Sequence, residues 1–246
     1  MIRVRIIRAR GSTPREEGAE MMVGPNTVTG TIGGGQLEYL AIDRARMMLA
    51  KGETQARMDV PLGPDIGQCC GGRVELALDR AAATVPVPGP AILIFGAGHV
   101  GRALARALLP LPFSPRLIDQ RAAELSLAAP GVPTTLTPLP EAELRAAPSA
   151  ASFVIVTHDH ALDFLLGVEA LARPDAPYIG MVGSRTKRAT FDRFARSHGA
   201  DPARLVCPIA AGFPRDKRPE VIAAFTAAEI AARLLTHAPA PALHAP

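Results

Sequence analysis

The sequence predicts an α/β protein: a small N-terminal α+β domain followed by a doubly wound parallel sheet. Three observations predict it. From Ala91 onward, short apolar runs alternate with helical text, as the units of a parallel sheet do. The first run leads into Gly96-Ala97-Gly98-His99-Val100-Gly101, a G-x-G-x-x-G set between a strand and a helix. Val85-Pro86-Val87-Pro88-Gly89-Pro90 separates this text from what precedes it, and proline-dense chain is a semi-rigid spacer. The expected organisation is an N-terminal domain at 1–80, a linker at 81–90, a Rossmann-like domain at 91–236 and a disordered tail at 237–246.

The elements follow in order. Arg3 to Arg8 alternates basic and aliphatic residues, the period of a half-exposed strand. Glu20 to Val23 and Thr27 to Ile32 are strands around the turn signal Gly24-Pro25-Asn26. Gln36 to Ala50 places Leu37, Leu40, Ala41, Ala45, Met48 and Leu49 at helical spacing. Arg73 to Leu78 alternates again. Ala91 to Phe95 is unbroken apolar text, as a strand buried on both faces requires. Val100 to Leu109 is a helix. Arg116 to Ile118, Phe153 to Thr157 and Tyr178 to Val182 are further strands, and Ala161 to Ala172 and Thr186 to Ser197 are helices. Glu220 to Leu235 is the last helix, with Pro219 suited to its first turn.

Composition narrows the function. A hydrophobic share of 48% over 246 residues is enough for a packed core. Net charge is +4, with Lys51, Lys187 and Lys217 the only lysines. Scattered charge and 4% aromatic content argue against nucleic-acid binding. A small anionic ligand fits better. No run of 18 apolar residues suggests a membrane span, and Met1 to Arg5 lacks the core of a signal peptide. The expected location is the cytoplasm. Three cysteines, two of them adjacent, do not make a disulfide framework.

Several stretches carry chemistry. Gly67-Gln68-Cys69-Cys70-Gly71-Gly72 presents a thiol pair in a bare loop, suited to a nucleophile, a metal ligand or a sulfur carrier. In the G-x-G-x-x-G, Gly96, Gly98 and Gly101 shape a phosphate site at a helix N-terminus, next to His99. Asp119 stands where an acid is expected to hold a ribose hydroxyl, and Arg121 can accommodate an extra phosphate. NAD(P) or another nucleotide is the implied ligand, unless the fold has lost it.

Thr157-His158-Asp159-His160-Ala161-Leu162-Asp163 admits three readings. His158, His160 and Asp163 can ligate a metal, as in a metal-dependent hydrolase. They can contact a ligand or move a proton, as in an NAD(P)-dependent oxidoreductase. Asp159 or His160 can simply cap a helix. Gly183-Ser184-Arg185-Thr186-Lys187-Arg188 is an anion site built on Ser184, Arg185 and Lys187, or else a solvated basic turn. Gly33-Gly34-Gly35 costs about 0.5–1 kcal/mol per glycine. It is a second anion site or a tight strand-to-helix turn. Gly11-Ser12-Thr13-Pro14-Arg15 offers Ser12 and Arg15 to an oxyanion. Cys207, beside Pro208, reads as a buried small hydrophobe.

Taken in order and spacing, these stretches resemble the XdhC/CoxI family. Gly11–Arg15, Gly30–Gly35 with Leu37-Glu38, and Gly67–Gly72 are similar to its N-terminal domain. Gly96–Gly101, Thr157–Asp163, Gly180–Lys187 and Cys207-Pro208-Ile209 are similar to its Rossmann domain. The resemblance implies an accessory factor for xanthine dehydrogenase or a related molybdenum hydroxylase. It would bind the molybdenum cofactor, a molybdopterin carrying a phosphate. It would hold the cofactor while a cysteine desulfurase supplies the terminal sulfido ligand, then pass it to the apoenzyme. Cofactor contacts would fall among the motif residues above, Gln68 included, with Cys69 and Cys70 as candidate molybdenum contacts. A homodimer is allowed but not specified.

Two departures stand out. The chain begins almost at its first strand, where family members carry preceding helix and strand text, so a short N-terminal domain or a misassigned start is expected. The family's glycine after Cys-Pro-Ile is Ala210 here, followed by a charged loop from Ala211 to Arg218.

Overall fold

The structure is a computed structural model that describes residues 1–63, 71–82, 89–214 and 216–235. The chain divides into two compact units between Pro86 and Val87. Residues 83–88, in the expected linker, and the expected tail lie outside the described residues.

The first unit is a five-stranded antiparallel sheet in the order β3-β2-β1-β5-β4 with one helix. β1 (Ile2–Arg10), β2 (Glu20–Val23) and β3 (Val28–Gly30) precede α1 (Gly35–Lys51), and β4 (Gln55–Pro61) and β5 (Arg73–Arg80) follow it. β1 is central because its alternation serves one buried face. Ile2, Val4 and Ile6 are fully buried, while Arg3 and Arg5 point the other way. α1 puts Leu37, Ala41, Ala45 and Met48 into the same core as those three residues, Leu76 and Leu78. Gly52 ends the helix in the left-handed region, at φ 73°. β4 is absent from the sequence expectation. Its text does alternate, with Ala56, Met58 and Val60 packed on the core between Gln55, Arg57 and Asp59, but only Val60 is buried. Pairing with β5, from Gln55–Asp79 to Pro61–Arg73, makes it a strand.

The second unit is a six-stranded sheet in the order β11-β10-β9-β6-β7-β8, parallel at every pairing. Its elements are β6 (Ala91–Phe95), α2 (His99–Leu108), β7 (Ser114–Asp119), α3 (Ala122–Leu125), β8 (Thr134–Leu136), α4 (Pro140–Arg145), β9 (Ser152–Ile155), α5 (His160–Leu171), β10 (Ile179–Met181), α6 (Arg185–Ser197), β11 (Leu205–Val206) and α7 (Pro219–Leu235). β6 feeds both faces. Ile92 and Ile94 join Leu104, Leu108 and Ile230. Leu93 and Phe95 join Leu166, Ala170 and Phe191. Strand order reverses between β6 and β9, and ligands of such sheets bind beyond the strand ends at that reversal. The sequence expectation omits α3, β8, α4 and β11. All are six residues or fewer, too short to show a period.

Candidate functional site

At the carboxyl end of β6 the glycines have separate tasks. A Cβ on Gly96, at φ 113°, would stand 2.4 Å from the Val156 carbonyl oxygen, and one on Gly101 would stand 1.8 Å from the Gly96 oxygen. Both glycines let chain pass chain where β6 and β9 part. A Cβ on Gly98 would meet nothing within 4 Å. Gly98 precedes α2, whose first turn has no side-chain cap. Its first-turn amides have no side-chain acceptor and lie beside the exposed His99, a disposition that suits an anion.

Asp119 departs from its expected role. It is 6% exposed. Oδ2 accepts from the Ala97 amide at 2.6 Å and from Arg121 Nη2 at 2.9 Å. Oδ1 accepts from the Arg121 amide and Nε, both at 2.9 Å. Burial would raise its pKa, but the Arg121 guanidinium and the two amides outweigh it and hold the carboxyl at about 2. A carboxylate offers about four acceptor positions, so a ribose hydroxyl has to displace one of these donors. Arg121, expected to face an extra phosphate, is clamped on Asp119. The crevice lined by Gly96, Asp119, Pro140, Thr157 and His158 encloses about 10 Å³, room for roughly one water.

The Thr157–Asp163 segment divides in two. Asp159 caps α5, accepting from the amides of Ala161 and Leu162 at 2.8 and 3.4 Å, so helix capping is one of its roles. Asp163 is fully buried. It accepts from the Thr157 hydroxyl at 2.6 Å and the Thr157 amide at 3.2 Å, and it is ion-paired with Lys187. Lys187 also donates to the Val182 carbonyl at 3.0 Å. This corrects two expectations. Asp163 is an internal anchor paired with Lys187 and Thr157, which removes it from the exposed pair His158 and His160 in this structure. Lys187 turns inward and leaves the anion site. No group of three metal-ligating side chains occurs among the described residues. His158 and His160 are exposed at the start of α5.

At α6, the Ser184 hydroxyl accepts from the Lys187 amide at 3.1 Å and caps the helix. Arg185 is exposed. It lines a cavity of about 640 Å³ with Val182, Ile209, Phe213, Lys217 and Phe225.

In the first unit, three motifs meet at one end of the sheet. A Cβ on Gly33 would stand 2.5 Å from Pro14 Cγ, and one on Gly72 would stand 2.3 Å from the Ser12 carbonyl oxygen. Ser12 and Arg15 are exposed there. The expected anion site at Gly33, Gly34 and Gly35 already holds an anion, the carboxylate of Glu38. Its Oε1 accepts from the Ile32 and Gly34 amides, both at 2.9 Å, and from the Thr31 hydroxyl at 2.5 Å. The glycines thus form the strand-to-helix turn. An acid in the first helical turn after a glycine run was the available signal. Gln68, Cys69 and Cys70 lie outside the described residues. The chain on either side is fixed: Leu62 and Gly71 are joined by Gly71 N to Leu62 O at 2.7 Å, and Leu62 N donates to Gly72 O at 2.8 Å.

Known proteins bear on this geometry. A family model described as the XdhC Rossmann domain matches residues 92–230, and one described as the XdhC and CoxI family matches residues 1–60. The chain is 28% identical over 240 residues to the uncharacterized protein YqeB of Escherichia coli strain K12. That match takes in 92% of this chain, which spans only 42% of the relative's length. A crystal structure described as a xanthine dehydrogenase from Bacillus halodurans superposes with a TM-score of 0.81 at 17% identity, covering 98% of this chain and 94% of that one. At that identity the likeness is one of fold. No described helix is long and apolar enough to cross a membrane.

Proposed function

From the premise that this chain belongs to the XdhC and CoxI family, we propose that it is an accessory factor for xanthine dehydrogenase or a related molybdenum hydroxylase. It binds the molybdenum cofactor, keeps it available for sulfuration by a cysteine desulfurase, and delivers it to the apoenzyme. The observation that carries the reading is the match of both family models to the two units in order. The geometry of the second unit supports it. A phosphate-bearing cargo needs anion positions on an open edge. Exposed Arg185 at the start of α6 offers one. Ser12 and Arg15 are further candidates in the first unit. Cys69 and Cys70 are assigned the metal end of the cargo, since thiolates are soft ligands for a thiophilic metal or carriers of its sulfur.

The test is recovery of cofactor. Protein purified from cells that make molybdopterin should carry it, read as the fluorescent oxidised pterin. The Cys69→Ala/Cys70→Ala double variant should transfer at least about tenfold less to apoenzyme, a loss of roughly 1.4 kcal/mol or more. Absence of pterin from the wild-type protein would sink the cofactor reading, and full transfer by the double variant would sink the thiol role. A second reading, an NAD(P)-dependent oxidoreductase, draws on the glycine loop alone. Micromolar NADH or NADPH binding with turnover of a carbonyl compound would favour it.

A further inference from the structure

The carboxyl edge of the parallel sheet carries two depressions that differ in kind. The glycine-loop crevice holds about 10 Å³, and its acid is taken by the protein's own donors. Where β10 and β11 end, a groove of about 640 Å³ opens within the same unit. This lies inside the range of about 300–1,000 Å³ that small ligands occupy. A third depression, bordered by Ala91 and Ser114, sits at the opposite, amino end of the strands, away from where ligands of such sheets bind.

The lining of the groove combines apolar and cationic side chains. Phe213 and Phe225 stack with centroids 4.7 Å apart and planes 7° from parallel, and both border the cavity with Val182 and Ile222. Arg185 and Lys217 also line it and are exposed. Neither has a carboxylate partner among the described residues. Asp216 lines the groove as well, but its carboxylate is taken by Arg218, which donates to it from Nη2 at 2.6 Å. Ala210, also in the lining, is held at φ 58°. That conformation costs an alanine about 1–2 kcal/mol and persists only where the surroundings over-determine it. Glu229 supplies the constraint, accepting from the Ala210 amide at 2.8 Å and from the Tyr178 hydroxyl at 3.0 Å. Burial and Glu229 push the Tyr178 pKa up, so it stays a donor. The wall of the groove is therefore built to hold its shape.

We propose that this groove, rather than the glycine-loop crevice, binds a flat heteroaromatic ligand bearing a phosphate. The ring lies along the wall formed by Phe213 and Phe225, and the phosphate meets Arg185 and Lys217. The choice of a pterin phosphate as occupant rests on the accessory-factor reading; a nicotinamide dinucleotide offers the same shared chemistry of ring and phosphate.

The experiment separates the two. The full-length protein is titrated with neopterin monophosphate and, in a parallel arm, with NADH, each followed by ligand fluorescence. Inorganic phosphate is the competitor. Neopterin monophosphate should bind, should be displaced by phosphate, and should lose at least tenfold in affinity in Arg185→Ala/Lys217→Ala. Both side chains are exposed, so an unchanged melting temperature certifies the fold of that variant. Phe225→Ala should weaken the pterin arm and leave competition by inorganic phosphate intact. Binding of NADH alone, lost in the same double variant, supports the groove and overturns the pterin as its occupant. Binding of either ligand that survives Arg185→Ala/Lys217→Ala and is lost in Gly98→Ala overturns the groove. So does the binding of neither.

Discussion

Ala210 shows at a single residue how sequence and conformation answer one another. The resemblance drawn from the sequence leads one to expect glycine there, and the backbone at φ 58° suits glycine, which enters the left-handed region without a Cβ clash. Alanine stays because Glu229 captures its amide. Ala210→Gly should therefore raise stability by about 0.5–1 kcal/mol, read as a higher denaturant midpoint at unchanged slope. A lower midpoint would show that the position is not strained. Asp119 and Glu38 are legible as acids at telling positions, one after the second strand of the parallel sheet and one in the first turn after the glycines. Their partners are not. Asp119 accepts from Ala97, 22 residues away, and Glu38 accepts from a loop it folds back upon. A motif specifies which group arrives, while the bonds it makes depend on the donors already present.

At the scale of elements, α5 and α6 are joined by a charge pair that no spacing rule announces. Asp163 and Lys187 have side chains only 1% and 9% exposed. Removing one partner of a buried pair costs roughly 3–5 kcal/mol, because the other charge remains without compensation. Lys187→Ala should lower stability by that order in an equilibrium unfolding curve. The Asp163→Asn/Lys187→Met double variant should lose markedly less. Equal losses would show that the pair is not coupled. The alternation of β1, the apolar spacing of α1 and α7 and the unbroken apolar run of β6 make these elements readable from sequence. β8 is three residues with none buried, and β4, although Ala56, Met58 and Val60 alternate, buries only Val60; both are edge strands that rest on a neighbour's hydrogen bonds.

For the whole molecule, acid is the condition that reaches both units. In the first, burial would raise the Glu38 pKa, but the Thr31 hydroxyl and the Gly34 and Ile32 amides outweigh it and hold it below the ordinary glutamate range. In the second, Asp119 sits at about 2 against an ordinary 3.8. A folded-state pKa below the unfolded one gives stability that is present above the unfolded value and lost as pH falls through the folded one. The melting temperature should hold near neutral pH and fall from about pH 4 toward about pH 2. Glu38→Gln should start lower and lose less over the same range. A parallel fall in wild type and variant would remove Glu38 from the account.

By itself the sequence determined the two-part architecture, the parallel order of strand and helix, and the family. These rest on local quantities: the period of apolar residues, the turn chemistry of glycine and proline, and the spacing of motifs along the chain. Only the tertiary structure decided which motif residues are free to meet a ligand. Lys187, Asp163, Asp119 and Glu38 are charged groups in motif-bearing text, and each is neutralised or filled by a partner that folding brings to it. Arg185 and Lys217, 32 positions apart, are left exposed in the lining of one groove. Desolvation sets that division: a charge carried into the interior needs a partner there, whereas one left at the surface can wait for a ligand.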